Sequence, residues 1–331
     1  MNIKKLFVYL SISVSFLIVA VILYIVIEPV TTEEANHSIE YKKYATLFNL
    51  ELVETEDDKY YAITGLNKDY SKGENKDGNL VIPEAIDDIP VKKLVSKEKS
   101  FSDYRDITKI VISKNIIYIG TSTTDESLGN KIFKEAYNLK FIEVSEENPV
   151  YKSLNGILFN KDASILLKMP NRFVFNEDFN YTIPSTVKEI YTEAFVNNSS
   201  IKSVTISSSV EVIGRYAFNN CEALTTVKIA DNPVLEKIEI GAFKDCSNLK
   251  EFNTPSTVKE IGNLAFSSCI RLDKIFIPSS VETFGTYIAT ASPNAIFYTT
   301  SDNLENLRQK YENLGIKSDE IVTRIMISNN E

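Results

Sequence analysis

Histidine occurs once in this chain, cysteine three times and tryptophan not at all. Each shortage closes a door. Ser-His-Asp and Cys-His devices need an imidazole beside the nucleophile. His37 stands about ten residues beyond a long apolar run and outside any repeat, so it reads as an exposed linker residue. A structural zinc needs about four ligands at matched spacing. Cys221, Cys246 and Cys269 are 25 and 23 apart, with no CxxC. No P-loop, no GxGxxG after a strand and no EF-hand loop occurs. The acidic pairs Glu146–Glu147 and Asp57–Asp58 fall in turn-like segments with nothing beside them to shift a pKa. Basic residues are outnumbered 36 to 45, which leaves no footprint for a nucleic-acid partner. The expectation is a protein that is not an enzyme and holds no cofactor and no metal. Its 17 Tyr and 18 Phe suggest a β-rich core.

Charge is also missing from Leu6 to Ile27, a run of 22 residues. As a helix it is roughly 33 Å long, enough to cross about 30 Å of hydrocarbon. A cleaved signal has a shorter apolar region, about 7–15 residues, ending in small side chains. This run ends VIEPV, with no A-x-A and no following cysteine to carry lipid. Lys4 and Lys5 precede it, and Glu28, Glu33 and Glu34 follow. Residues 1–5 are therefore expected in the cytoplasm, 6–27 as an uncleaved single-pass anchor, and the rest outside. Secretion after signal cleavage is the alternative.

Internal repetition organises the rest of the chain. Segments starting at Ile183, Ile206, Ile229, Thr254 and Ile277 align, with starts 23, 23, 25 and 23 apart. The 25 reflects two extra residues around Pro233. Each unit places a Val or Leu, then an Ile or Phe, then Ala-Phe in all but the last, then a strand such as Leu224-x-x-Val227-x-Ile229. This period predicts a solenoid of stacked coils sharing one continuous core. The Ala-Phe piece is expected as a single helical turn. Gly214 and Gly262 are expected to permit sharp corners.

The pattern extends upstream through residues 110–120 and 132–144, separated by the loop TSTTDESLGNK, and begins at LVIPEAIDDIPVKKL, residues 80–94. LNGILFN and SILLKMP read as a hairpin around Asn160–Ala163, and FNLELVE and KYYAITGL as another around Glu56–Asp58. SDNLENLRQKYENLG carries Leu304, Leu307, Tyr311 and Leu314 at helical spacing and ends at Gly315. The expected layout is a linker over 28–46, a capping hairpin over 47–79 and a solenoid over 80–300 with a hairpin insertion at 145–181. A capping helix and tail complete the chain over 301–331.

The recurring A-F-x-x-C-x-x-L-x-x-[VI]-x-I-P-x-[ST]-V-x-x-I-G resembles the BspA-type leucine-rich repeat. ENPVYKSLNGILFNKD resembles the hairpin between its coils, and the likeness covers roughly residues 48–300. It implies β-rich α/β leucine-rich-repeat coils in a curved solenoid used for extracellular binding, adhesion included. The last coil departs from it, with IATASPNA where A-F-x-x-C-x-x-L belongs and Ser292 at the cysteine position.

The expected ligand is a protein or a polysaccharide, met at the outward side chains of the strands. One row runs Lys109, Phe141, Ser203, Thr226, Glu251, Lys274, and the next Val111, Glu143, Thr205, Lys228, Asn253, Phe276. The candidates are Val111, Phe141, Glu143, Thr205, Lys228, Glu251, Asn253, Lys274 and Phe276. Phe141, Phe276 and Val111 are apolar where water favours polar groups, so they are anchors or else pack under the hairpin and the C-terminal cap. Lys188, Glu211, Glu236, Lys259 and Glu282 line the other wall as a solubility row. The 18 residues after Ile27 extend at most roughly 65 Å. About nine coils add roughly 45 Å. A scaffold for the cell's own membrane or wall components is thus the alternative to an adhesive role. Cys221, Cys246 and Cys269 hold one place in successive coils that Asn198 and Ser292 also fill, the place of a small side chain meeting the backbone rather than a nucleophile.

Overall fold

The computed structural model describes residues 38–67, 78–96, 106–120, 133, 136–175, 178–301, 303–313 and 325–327. The apolar run 6–27 with its flanking stub, His37, the loop 121–131 and Leu314 lie outside the described residues. Among the described residues no helix is long and apolar enough to cross a membrane.

The chain winds into a solenoid of about eight turns of roughly 23 residues. Its front wall is made of β3 (Asn79–Val81), β6 (Lys109–Ile112), β8 (Phe141–Val144), β12 (Asn180–Thr182), β14 (Ser203–Ile206), β16 (Thr226–Ile229), β18 (Glu251–Asn253), β20 (Lys274–Phe276), β22 (Ile296–Thr299) and β23 (Ile325–Ile327). These form three parallel sheets, β3-β6-β8, β12-β14-β16 and β18-β20-β22-β23. The other wall begins with β1 (Phe48–Glu54), β2 (Lys59–Leu66), β4 (Ala85–Ile86), β5 (Ile89–Val95) and β7 (Tyr118–Gly120). It continues with β9 (Tyr151–Leu154), β10 (Ile157–Asn160), β11 (Ile165–Lys168), β13 (Glu189–Ile190), β15 (Val212–Ile213), β17 (Lys237–Ile238), β19 (Glu260–Ile261) and β21 (Thr283–Phe284), hydrogen-bonded in that order.

One expectation needs correcting: the core is divided in two. β9, β10 and β11 form an antiparallel meander, with Asn155 and Gly156 at positive φ in its first turn. Ile157, Leu158 and Phe159 are all buried. Ile157, Phe159 and Leu166 pack into the C-terminal core, whereas Tyr151, Leu158 and Leu167 pack into the N-terminal one. Continuous apolar runs such as ILF are what a strand covered on both faces requires. The meander therefore partitions the solenoid.

The Ala-Phe piece differs from the helical turn expected of it. Glu193, Tyr216, Gly241, Leu264 and Tyr287 have positive φ, and so do Asn197, Asn220, Asp245, Ser268 and Ala291 four residues later in each coil. This alternation turns every second N–H along the solenoid axis. The amides of Phe195, Phe218, Phe243 and Phe266 donate to the carbonyls of Ala217, Ala242, Ala265 and Ile288 in the next coil, at 2.7–2.8 Å. Tight β-turns close each coil while their alternate amides join it to its neighbour. The four phenylalanine rings stack behind them, with centroids 4.5, 5.1 and 5.4 Å apart. Gly214 is not at positive φ. A Cβ there would sit 2.8 Å from Ile190 O, so glycine is needed for the approach of one coil to the backbone of the previous one.

Two short helices flank the stack. α1 (Ile39–Ala45) falls inside the stretch expected as linker, begins at the Ser38 cap and ties to the Asp87 turn through Ser38 Oγ and Glu40. α2 (Leu304–Asn313) buries Leu307 in the C-terminal core. The stack continues past it, because β23 pairs with β22.

Candidate functional site

The outward rows follow from strand alternation. In β6, β14 and β18 the central or inward residues Ile110, Val204 and Phe252 are buried, and their neighbours face out. The register places Lys109 beside Phe141, Ser203 beside Thr226, and Glu251 beside Lys274. In the second row Val111 stands beside Glu143, Thr205 beside Lys228, and Asn253 beside Phe276. The nine candidates thus fall into three groups, one per front sheet: Val111, Phe141 and Glu143; Thr205 and Lys228; Glu251, Asn253, Lys274 and Phe276.

The first group is mixed in character. Lys109 Nζ reaches Glu143 Oε2 at 2.5 Å and lies 5.7 Å from the Phe141 ring centroid. Phe141 is 39% exposed while its ring covers Gly156 of the meander. Val81, 55% exposed, pairs in register with Val111 and was missed, although LVIP in the first coil puts it in the same slot. Phe179 was missed too: it precedes β12, and Lys202 Nζ lies 4.4 Å from its ring. At the far end Phe276 is half-buried and pairs with Tyr298.

The cysteines are structural. All three are free and fully buried. The Sγ atoms of Cys221, Cys246 and Cys269 donate to the carbonyls of Phe195, Phe218 and Phe243 at 3.1–3.2 Å. Ser292 Oγ makes the same bond to Phe266 at 2.9 Å, and Asn198 Nδ2 bonds Pro170 O at 2.9 Å. Burial pushes the Cys221 and Cys269 thiols up to about 12, and Cys246 well above its ordinary value. These are poor nucleophiles. Among the described residues no group of three His, Cys, Asp or Glu could hold a metal. The acidic turns are engaged with lysines, Asp58 with Lys92 at 2.6 Å and Glu147 with Lys114 at 3.4 Å. On the other wall Lys188 pairs with Glu211 at 3.1 Å, both side chains about half-exposed.

This architecture defines a leucine-rich-repeat solenoid. More particularly, residues 171–296 match the BspA type Leucine rich repeat region in 6 copies. A leucine rich cell surface protein from Faecalibacterium prausnitzii is similar in structure, at 24% identity and a TM-score of 0.51, over 67% of this chain and 60% of that one. The chain therefore spans about 60% of that protein's length. Pneumococcal vaccine antigen PcpA matches at 16% identity and a TM-score of 0.45, over 84% of this chain and 97% of its own. A leucine-rich repeat protein from Bacteroides capillosus matches at 26% identity and a TM-score of 0.34, over 38% of this chain and 96% of its own. No curated protein matches.

Proposed function

We propose that the chain is anchored by residues 6–27 at the outer face of a membrane and binds a protein or glycan partner through the outward rows of its front wall. Adhesion is one use of such a contact. The observation that carries the reading is the apolar group Val81, Val111 and Phe141 beside the Lys109–Glu143 pair, where water alone would favour a polar surface. The test uses the full chain in detergent. Immobilised matrix proteins and the envelope proteins of the parent cell are each offered to it, with Val81→Ser and Phe141→Ala as controls. A partner whose retention falls about tenfold or more in both variants supports the reading. Retention that neither variant changes counts against this face. N-terminal sequencing of the mature protein tests the anchor: a free terminus beyond residue 27 overturns it.

A specific observation favours an envelope partner over a distant one. α1 is tied to the Asp87 turn, so only residues 28–37 lie between it and the anchor. Fully extended, they reach at most about 35 Å. The front wall then works close to its own membrane, which suits a scaffold for membrane or wall components.

A further inference from the structure

The front wall parts between β16 and β18. The other wall runs unbroken through the same coil, with Val212 paired to Lys237 and Lys237 to Glu260. The coil concerned has the two extra residues, with Asn232 at positive φ and Pro233 beside it. Where the front wall is continuous, the residue after β12 donates forward, Ile183 to Thr205 at 2.9 Å, and so does the residue after β20, Ile277 to Tyr298 at 2.8 Å. Among the described residues β16 and β18 form no ladder, each being the edge of its own sheet. Val204, Phe252 and Ile275 are buried, yet their counterpart Val227 is half-buried.

A cleft of about 360 Å³ lies over this break, with Val227 in its lining. Thr225, Thr226 and Asn253 supply uncharged polar groups, and two lysines, Lys250 and Lys274, and two carboxylates, Glu251 and Asp273, complete the lining. The volume equals roughly a dozen waters. Its charges cancel, so neither an anion nor a cation is favoured. Its strand lips offer main-chain donors and acceptors left without a ladder partner. A ligand that fits must donate and accept at many closely spaced points, carry no charge and present one apolar side to Val227. A sugar ring does this: each hydroxyl both donates and accepts, and one ring face is C–H. Phe276, half-buried and in register beside Asn253, adds an apolar flank.

We propose that this cleft is a subsite for one neutral sugar unit of a glycan. The proposal rests on the reading of the front wall as a binding face and narrows its ligand there. The test uses the full chain in a detergent without sugar head groups. Maltose, cellobiose and N,N′-diacetylchitobiose are the probes, read by saturation-transfer NMR. The expected result is binding of at least one probe, unchanged when salt is raised about tenfold. Binding should weaken about tenfold or more in Asn253→Ala and Glu251→Gln. A deletion of Asn232 and Pro233, which restores the 23-residue period, should close the cleft and abolish binding while the protein unfolds as cooperatively as before. Sugar binding that survives both substitutions and the deletion overturns the site. No sugar binding, with charged oligopeptides held in a salt-sensitive way that depends on Lys250, overturns the ligand class. No binding of any probe overturns the subsite. In each case the Val81 and Phe141 variants still report separately on the wider front-wall reading.

Discussion

The cysteine column makes a prediction that separates wall from chemistry. An ordinary thiol titrates near 9, and burial lifts Cys221 and Cys269 to about 12. At pH 8 the thiolate fraction of each is then about a thousandfold lower than for a free thiol, before access is considered. Iodoacetamide followed by intact mass should find all three unmodified in the native fold and all three modified in denaturant. The same shift has a stability consequence. The unfolded chain releases these protons near pH 9 and the folded chain retains them to about 12, so the stability they carry is fully present below 9 and falls as pH rises from 9 to 12. By pH 10 the loss is on the order of 1 kcal/mol for each of the two, and Cys246 adds to it in the same direction. The comparison is the triple variant Cys221→Ser, Cys246→Ser, Cys269→Ser, since Ser292 already occupies this place and makes the same bond to a carbonyl. Its unfolding free energy in urea, measured from pH 8 to 10.5, should fall less steeply than that of the parent. Tyrosines shared by both proteins cancel in the difference. Parallel pH profiles, or rapid labelling of Cys221 alone, would refute the reasoning.

Three further perturbations test the packing. Phe243→Ala removes a ring in contact with Phe218, Phe252 and Phe266 and should destabilise by about 3–5 kcal/mol in a urea melt, with Phe243→Leu costing much less. Asn198→Ala strips a buried side chain that donates to Pro170 O and accepts from the amides of Ser200 and Ile201; about 2–4 kcal/mol should be lost, and Asn198→Ser should lose less. Gly241→Ala places a Cβ at positive φ against the Tyr216 ring and should cost at least about 1 kcal/mol, partly recovered by adding Tyr216→Ala.

Much of the fold was legible before any coordinates, because a coil that cannot bury its own apolar face must repeat its pattern to be covered by neighbours. Two-residue alternation assigned the outward rows, and the register of the strands agrees with them within each front sheet, though not across the two breaks between sheets. Equivalence of Asn198, Cys221 and Ser292 across coils identified a structural column. The first left-handed residue of each coil escaped notice, since Glu193, Tyr216 and Leu264 are not types that announce positive φ, although Gly241 at the same place and Asn197, Asn220 and Asp245 four residues after it are types that favour it. β23 escaped because a three-residue strand far from its partner in sequence has no local period.

What the sequence by itself determined is the repeat, the class of protein and which side chains face out. Periodicity is a local property, written into each coil and needing no distant partner. Tertiary structure alone decided that the meander divides the core. It also decided that the front wall parts between β16 and β18, in the coil that carries the two extra residues around Pro233. Both depend on which backbone groups find partners across coils, a property no single coil carries by itself.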